Sequence, residues 1–342
     1  MKKFFTITTS ALLALALVGC GGTETPTDEG SDTAGTDTAA GGETYTLRVA
    51  TVLTEQDPLV QGLNEFKADV EAKTEGKVVI EVYPASQLGD TADVLEQAKN
   101  GSNVGVIIDT GMLADYVPDM AIYSAPYVFN SVENARKFIE SDIFKGWDEE
   151  LAKNGLRDLS CNWFQGARSF MTNKLVEKPE DLAGLSIRTM GSQVAQETIK
   201  AVGGTPDSTP WADVYNAIQT KAVDAFEAQT TAIYGASLQE VVTNAALTEH
   251  FLLYTALVIS ETWYQTLPAD LQEIVKAASL EAGDKATQYT LDTEKLNKEE
   301  MAAAGLTYTE VDKSLFIDAT KGVYDTMGWT ELKKQIDEYL GQ

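Results

Sequence analysis

Tyr45-Thr-Leu-Arg-Val-Ala-Thr-Val52 alternates apolar and polar residues, the pattern of a strand with one buried face. Leu59, Leu63, Phe66 and Val70 follow at three- and four-residue spacing, which draws an apolar stripe along a helix. Gly76 ends that helix, and Lys77-Val-Val-Ile-Glu-Val-Tyr-Pro84 reads as a second strand. Asp90 is placed to cap a short helix running to Ala98, with Gly101 after it. Val104-Gly-Val-Ile-Ile-Asp109 is a third, apolar strand. Strand, helix, strand, helix and strand over residues 45–109 predict a parallel-rich α/β domain.

Toward the C-terminus the pattern repeats in kind, though no internal sequence repeat is present. Ser131 caps helical stretches that run to Lys153. A second α/β unit starts near Gly166, with strands predicted at Phe170–Asn173, Leu185–Arg188 and Val223–Glu227. Helices are predicted over Gln193–Val202, stopped by Gly203-Gly204, and over Asp213–Thr220. Phe251–Ser260 is a long apolar strand able to cross between two domains. Pro268–Ala304 contains no further proline and one glycine, Gly283, which predicts a single helix well beyond usual length. A chain of 342 residues with 44% hydrophobic content can fill two cores.

The N-terminus reads as a targeting segment. Lys2 and Lys3 precede the apolar run Ala11–Val18, too short to span a bilayer. Leu17-Val-Gly-Cys20 has the order of a lipobox, so residues 1–19 are expected to be a lipoprotein signal peptide, with lipid carried on Cys20. The alternative is an ordinary signal peptide with an incidental cysteine. Residues 20–43 lack Lys and Arg, carry six acids and cannot build a core, which predicts a flexible acidic linker. The expected organisation is then domain I over 44–165 plus about 254–293, and domain II over 166–253 plus about 294–342.

Charge and residue counts exclude several classes. Twenty-six Lys and Arg stand against 52 Asp and Glu, a formal charge of −26, so no nucleic-acid partner is expected. One histidine, His250, and two cysteines cannot furnish a His/Cys zinc site, a Ser-His-Asp triad or a Cys-His pair without more partners; His250 reads as structural. Cys161 reads as a small buried apolar residue. Neither a phosphate loop nor a dinucleotide fingerprint occurs. We therefore expect no metal, no cofactor and no catalytic residue.

Within this acidic chain, Trp163–Glu227 holds two arginines, Arg168 and Arg188, the second closing the turn and strand Asp181-Leu-Ala-Gly-Leu-Ser-Ile-Arg188. A guanidinium is always charged and presents five donors in a fork that fits a carboxylate. Distant surface acids are screened beyond roughly 8 Å at physiological salt, so a recessed arginine answers to its neighbours. The alternative for either residue is a surface salt bridge.

Several passages carry a family resemblance. These are Tyr83-Pro-Ala-Ser-Gln-Leu-Gly-Asp90, Ala125-Pro-Tyr127, Gly166-Ala-Arg168 followed by Thr172-Asn-Lys174, and Pro179-Glu-Asp-Leu-Ala-Gly-Leu-Ser-Ile-Arg188. Trp211-Ala-Asp-Val-Tyr-Asn-Ala-Ile-Gln-Thr220 and Leu267-Pro-Ala-Asp-Leu-Gln272 continue it. In this order, from Thr44 to Leu340, the chain resembles the DctP-type solute-binding proteins of tripartite ATP-independent periplasmic (TRAP) transporters. The resemblance implies an α/β, two-domain periplasmic-binding-protein-like (type II) fold, with crossing strands and a long helix spanning the lobes. It implies a carboxylate held by Arg188 with a second contact from Arg168, and closure of the lobes over the ligand. It implies large and small membrane permease subunits as partners, and no enzyme activity. Trp211 corresponds to a ring set against the ligand, or to helix-start packing. Asp109 corresponds to an acid near a ligand hydroxyl or amine, or to a strand-end cap. Gln87 and Asp90 lie in the signature turn near the cleft, where turn and cap chemistry is the competing reading. The chain departs from the family where many relatives read Asp-Gly-Gln-Glu-Asn-Pro: Ala228 stands for the ligand-fixing asparagine. With Phe226, Trp211 and Trp163, that change predicts a more apolar wall and a ligand with an apolar body. A binding protein of an ATP-driven (ABC) importer and, from another class, an envelope hydrolase are the remaining readings.

Overall fold

The strand–helix rhythm of residues 45–109 forms as read. β1 (Tyr45–Ala50), α1 (Pro58–Lys73), β2 (Val78–Tyr83), α2 (Thr91–Lys99) and β3 (Val104–Asp109) follow one another, with β1 parallel to both β2 and β3. The protein is described by a computed structural model over residues 44–342; the expected signal peptide, Cys20 and the expected linker lie outside the described residues. α1 starts where Asp57 accepts the Leu59 N–H at 2.9 Å and Pro58 sets the first turn. Its stripe of Leu59, Leu63, Phe66 and Val70 is fully buried, each side chain contributing about 1.5–3 kcal/mol of burial.

The next helices are α3 (Val132–Phe138) and α4 (Asp142–Lys153), whose first turns are capped by the hydroxyls of Ser131 and Ser141. β4 (Leu156–Asp158) and β5 (Trp163–Thr172) lead into the second unit. That unit holds β6 (Ser186–Arg188), α5 (Gln193–Ala201), β7 (Thr205–Asp207), α6 (Val214–Gln219), β8 (Ala225–Gln229) and α7 (Thr230–Gly235). β9 (Asn244–Ser260), α8 (Glu261–Tyr264), α9 (Ala269–Ala303) and β10 (Thr307–Thr309) return along the sheet, and α10 (Lys313–Thr320), α11 (Gly322–Thr326) and α12 (Thr330–Leu340) close the chain.

One mixed sheet runs in the order β2-β1-β3-β9-β5-β8-β6-β7, with β4 and β10 also paired to β9. β9 is the crossing strand and is longer than its apolar run, because Asn244–Ala246 also pairs, with β5 and with β10. Its Thr255–Ile259 segment lies antiparallel to β3, and its Asn244–Thr255 segment antiparallel to β5. β5 also exceeds the predicted strand, beginning at Trp163. Its alternation is broken by register shifts at Phe164/Gly166 and Arg168/Phe170, where Gly166 takes φ +122°. β4, β7 and β10 are three-residue strands that carry too little pattern to be read in sequence.

The long helix is present as α9, 35 residues. Its Leu271, Val275, Ala278, Ala282 and Ala286 pack with α1 and β1 in one core, and its Met301 packs with Phe226 and Ala228 in another. It therefore spans both halves of the sheet, as the two-domain type II fold requires. At Gly283 the strand linker presses on the helix: a Cβ there would sit 2.4 Å from Asn162 Oδ1. Asn162 Nδ2 donates to Leu280 O and to Asp284 Oδ1, both at 2.7 Å.

Candidate ligand-binding site

β5, β6 and β8 bring three charged side chains together. Arg168 lies opposite Gln229 in the β5–β8 ladder and is 3% exposed. Its Nε and Nη2 fork onto Glu227, with Nη2–Oε1 at 2.8 Å; Nη2 also donates to Glu227 O at 2.6 Å and Nη1 to Gln229 Oε1 at 2.7 Å. Thr189 Oγ1 donates to the same carboxylate at 2.7 Å. Burial pushes the Glu227 carboxyl up, but Arg168 and His250 outweigh it and hold it down at about 2. His250 lies flat on Phe170 with its Nε2 3.7 Å from Glu227 Oε2, and burial lowers its own proton affinity.

Arg188 ends β6 and is 7% exposed. Asp207 Oδ1 accepts the Thr209 N–H at 2.8 Å, and this turn aims Thr209 O at Arg188 Nε, 2.9 Å away. The guanidinium stacks over the Trp211 ring, 5.3 Å from its centroid. Among the described residues, Arg188 makes no ion pair, and neither Nη donates to the protein. Burial lowers its pKa to about 10, helped by repulsion from Arg168 and opposed by Glu227, Asp90 and Asp207. It stays cationic at neutral pH. A buried cation without its own anion is costly unless something else supplies the charge.

Both arginines line a cavity of about 340 Å³, a volume within the range of small-molecule sites. Asp90, Asp109, Gln165, Thr209, Gln229 and Thr255 complete its polar wall, and Val52, Leu53, Ile107, Met112, Met190, Trp211, Ala232 and Leu253 its apolar one. Asp109 caps the turn after β3 and also lines the cavity. Its Oδ1 accepts the Gly111 N–H at 3.1 Å and the Ser124 hydroxyl, capping the turn after β3, while its buried Oδ2 has no partner among the described residues. Burial raises its carboxyl. Asp90 precedes α2 but makes no capping bond, and lines the cavity instead.

Three expectations need correction. Gln87 is exposed in the turn after β2 and does not line the cavity; its N–H bonds Pro84 O at 3.2 Å. Phe226 and Ala228 project to the far face of β8, into the core under α6 and α7, so they build no ligand wall. Trp163 is fully buried against the α1–α9 contact, its Nε1 donating to Ser160 Oγ at 3.1 Å. Strand alternation puts Glu227 and Gln229 on one face of β8, Glu227 buried on Arg168 and Gln229 lining the cavity; sequence reading missed both, along with the lining residues Gln165 and Thr255. Arg168 lines the cavity, but each of its nitrogens already serves Glu227 or Gln229.

A sheet shared by two halves, with a buried cation facing a half-open cavity, defines a two-domain solute-binding protein. Residues 49–330 match the family described as bacterial extracellular solute-binding protein, family 7, and the chain belongs to that family, the DctP-type binding proteins of TRAP transporters. It is similar to a TRAP periplasmic solute-binding protein from Escherichia fergusonii in an apo open structure: 41% identity, TM-score 0.77, 86% of this chain and 100% of that one. It is similar to one from Actinobacillus succinogenes with bound L-galactonate: 31% identity, TM-score 0.84, 87% and 99%. The ectoine/5-hydroxyectoine-binding periplasmic protein of Ruegeria pomeroyi is 30% identical over 258 residues, 74% of each chain. Among the described residues no helix is long and apolar enough to cross a membrane.

Proposed function

We propose that this protein captures a small carboxylate-bearing molecule in the cavity and delivers it, chemically unchanged, to large and small permease subunits for ion-coupled uptake. The observation that carries the reading is Arg188: buried, stacked on Trp211, and without an anion among the described residues. Its two free Nη groups match a carboxylate bidentately. The L-galactonate of the Actinobacillus relative supports the same class. In this reading residues 44–165 with about 254–293, and 166–253 with about 294–342, form lobes that close on the ligand. Closure is favoured only by the ligand's differential affinity for the closed state. Asp109 and Asp90 receive donors from the ligand's other end. The lipobox supports a lipid anchor on Cys20 that tethers the protein at the extracytoplasmic face; loss of acyl labelling in Cys20→Ser checks it.

The test uses the ligand that copurifies with the wild-type protein, identified by native mass spectrometry. Calorimetry with Arg188→Lys, which keeps the charge and loses the planar fork, is expected to show about 10- to 100-fold weaker binding. Unchanged affinity, or steady conversion of the ligand to product, sinks the proposal.

A further inference from the structure

Along the cavity wall runs a chain of hydrogen bonds whose direction is fixed at both ends. Arg168 Nη1 donates to Gln229 Oε1 at 2.7 Å, and Gln229 Nε2 donates to Gln165 Oε1 at 2.8 Å. Gln165 Nε2 donates to Thr255 Oγ1 at 3.3 Å, and Thr255 Oγ1 donates to Trp163 O at 2.9 Å. An arginine can only donate and a main-chain carbonyl can only accept. The two termini therefore demand the same polarity, and neither glutamine amide can be turned over without breaking the chain. Gln165, Gln229 and Thr255 are all at least nine-tenths buried, and all line the cavity.

Each amide nitrogen has two hydrogens, and the chain uses one. A buried N–H without an acceptor is rarer in proteins than a carbonyl with a spare lone pair. The rail thus offers donors to whatever fills the cavity. Resting on the carboxylate reading above, we propose that the Gln229–Gln165–Thr255 rail sets specificity. It favours ligands bearing an accepting oxygen, keto or hydroxyl, beyond the carboxylate, and disfavours an ammonium group there, which has only donors to present.

The probes are pentanoate and its α-oxo, α-hydroxy and α-amino derivatives, titrated by calorimetry into the wild-type protein, Gln165→Glu and Gln165→Met. All three proteins are first compared by thermal unfolding. In Gln165→Glu the new carboxyl still accepts from Gln229. Protonated, its one hydrogen goes to Thr255; ionised, it has none and the Thr255 hydroxyl turns from Trp163 O to donate to it, so in neither state is a hydrogen left for a ligand. Asp109 and Asp90 are untouched in every variant, so their attraction for an amine cancels in the comparison; the charge Gln165→Glu can add is absent from Gln165→Met, and that uncharged variant decides. The wild-type protein is expected to bind the oxo and hydroxy acids more tightly than the amino acid. The oxo-over-amino preference is expected to fall about tenfold or more in Gln165→Glu, and Gln165→Met to move it the same way. Equal wild-type binding of oxo and amino acids, or the same preference in both variants, overturns the rail while leaving the carboxylate site standing. If no probe binds the wild-type protein, the rail is overturned, since its donors then recruit no accepting oxygen, while the carboxylate site is judged on the copurified ligand.

Discussion

Arg168 and Arg188 are both buried, but the protein answers one charge and leaves the other open. Arg168 is paid in full by Glu227, so removing that partner in Glu227→Gln is expected to cost about 3–5 kcal/mol in chemical denaturation, the penalty for stranding a buried charge. The pH sign follows from the depressed carboxyl. Glu227 falls from 4.5 to about 2 on folding, so its stabilisation is complete above pH 4.5 and is lost as pH falls toward 2. Glu227→Gln should therefore flatten the acid limb of the stability–pH profile. An acid limb of wild-type steepness would show that Glu227 is not a major acid-labile group. At this scale the sequence singled out Arg188, which lines the cavity, and chose the wrong neighbour on β8. Ala228 and Gln229 differ by a single step along β8, and a step of one exchanges the two faces of a strand. Composition cannot choose between them; the ladder that pairs Arg168 with Gln229 does.

Among the elements, α1 and α9 were legible because their apolar positions recur at helical spacing over several turns. β5 and β9 were only partly legible. They are covered on both faces, so burial leaves no alternation, and the shifts at Gly166 and Arg168 break what remains. The start of α1 carries a measurable cost. Burial raises the capping Asp57 carboxyl from 3.8 to about 6, against the hydrogen bond from the Leu59 N–H. A raised acid is least costly below pH 3.8 and costs stability as pH rises through 6. Asn caps as well as Asp and carries no charge. Asp57→Asn is thus expected to stabilise by about 2–3 kcal/mol at pH 8, from about 1.4 kcal/mol per pH unit, and to be neutral near pH 3; equal effects at both pH values would rule out the burial penalty. In α9, Gly283→Ala drives a methyl into Asn162 and is expected to cost about 1–3 kcal/mol, measured as a lower denaturation midpoint. A surface glycine changed to alanine in a helix would instead gain stability.

For the whole molecule, a formal charge of −26 along the chain means self-repulsion that salt relieves. Raising ionic strength from about 0.01 M to about 1 M shortens the screening length from about 30 Å to about 3 Å, and the melting temperature is expected to rise with it; a flat or falling response would place the acidic groups too far apart to matter. The backbone superposes better on the galactonate-bound relative than on the apo open one, although the latter is closer in sequence. Finally, β9 belongs to neither half alone: β3 and β4 rest on one end, β5 and β10 on the other. The halves therefore cannot be inherited, expressed or exchanged as separate modules. A chimera built from two relatives must take its central strand from one parent, and every core that touches that strand from the other parent must then adapt to it.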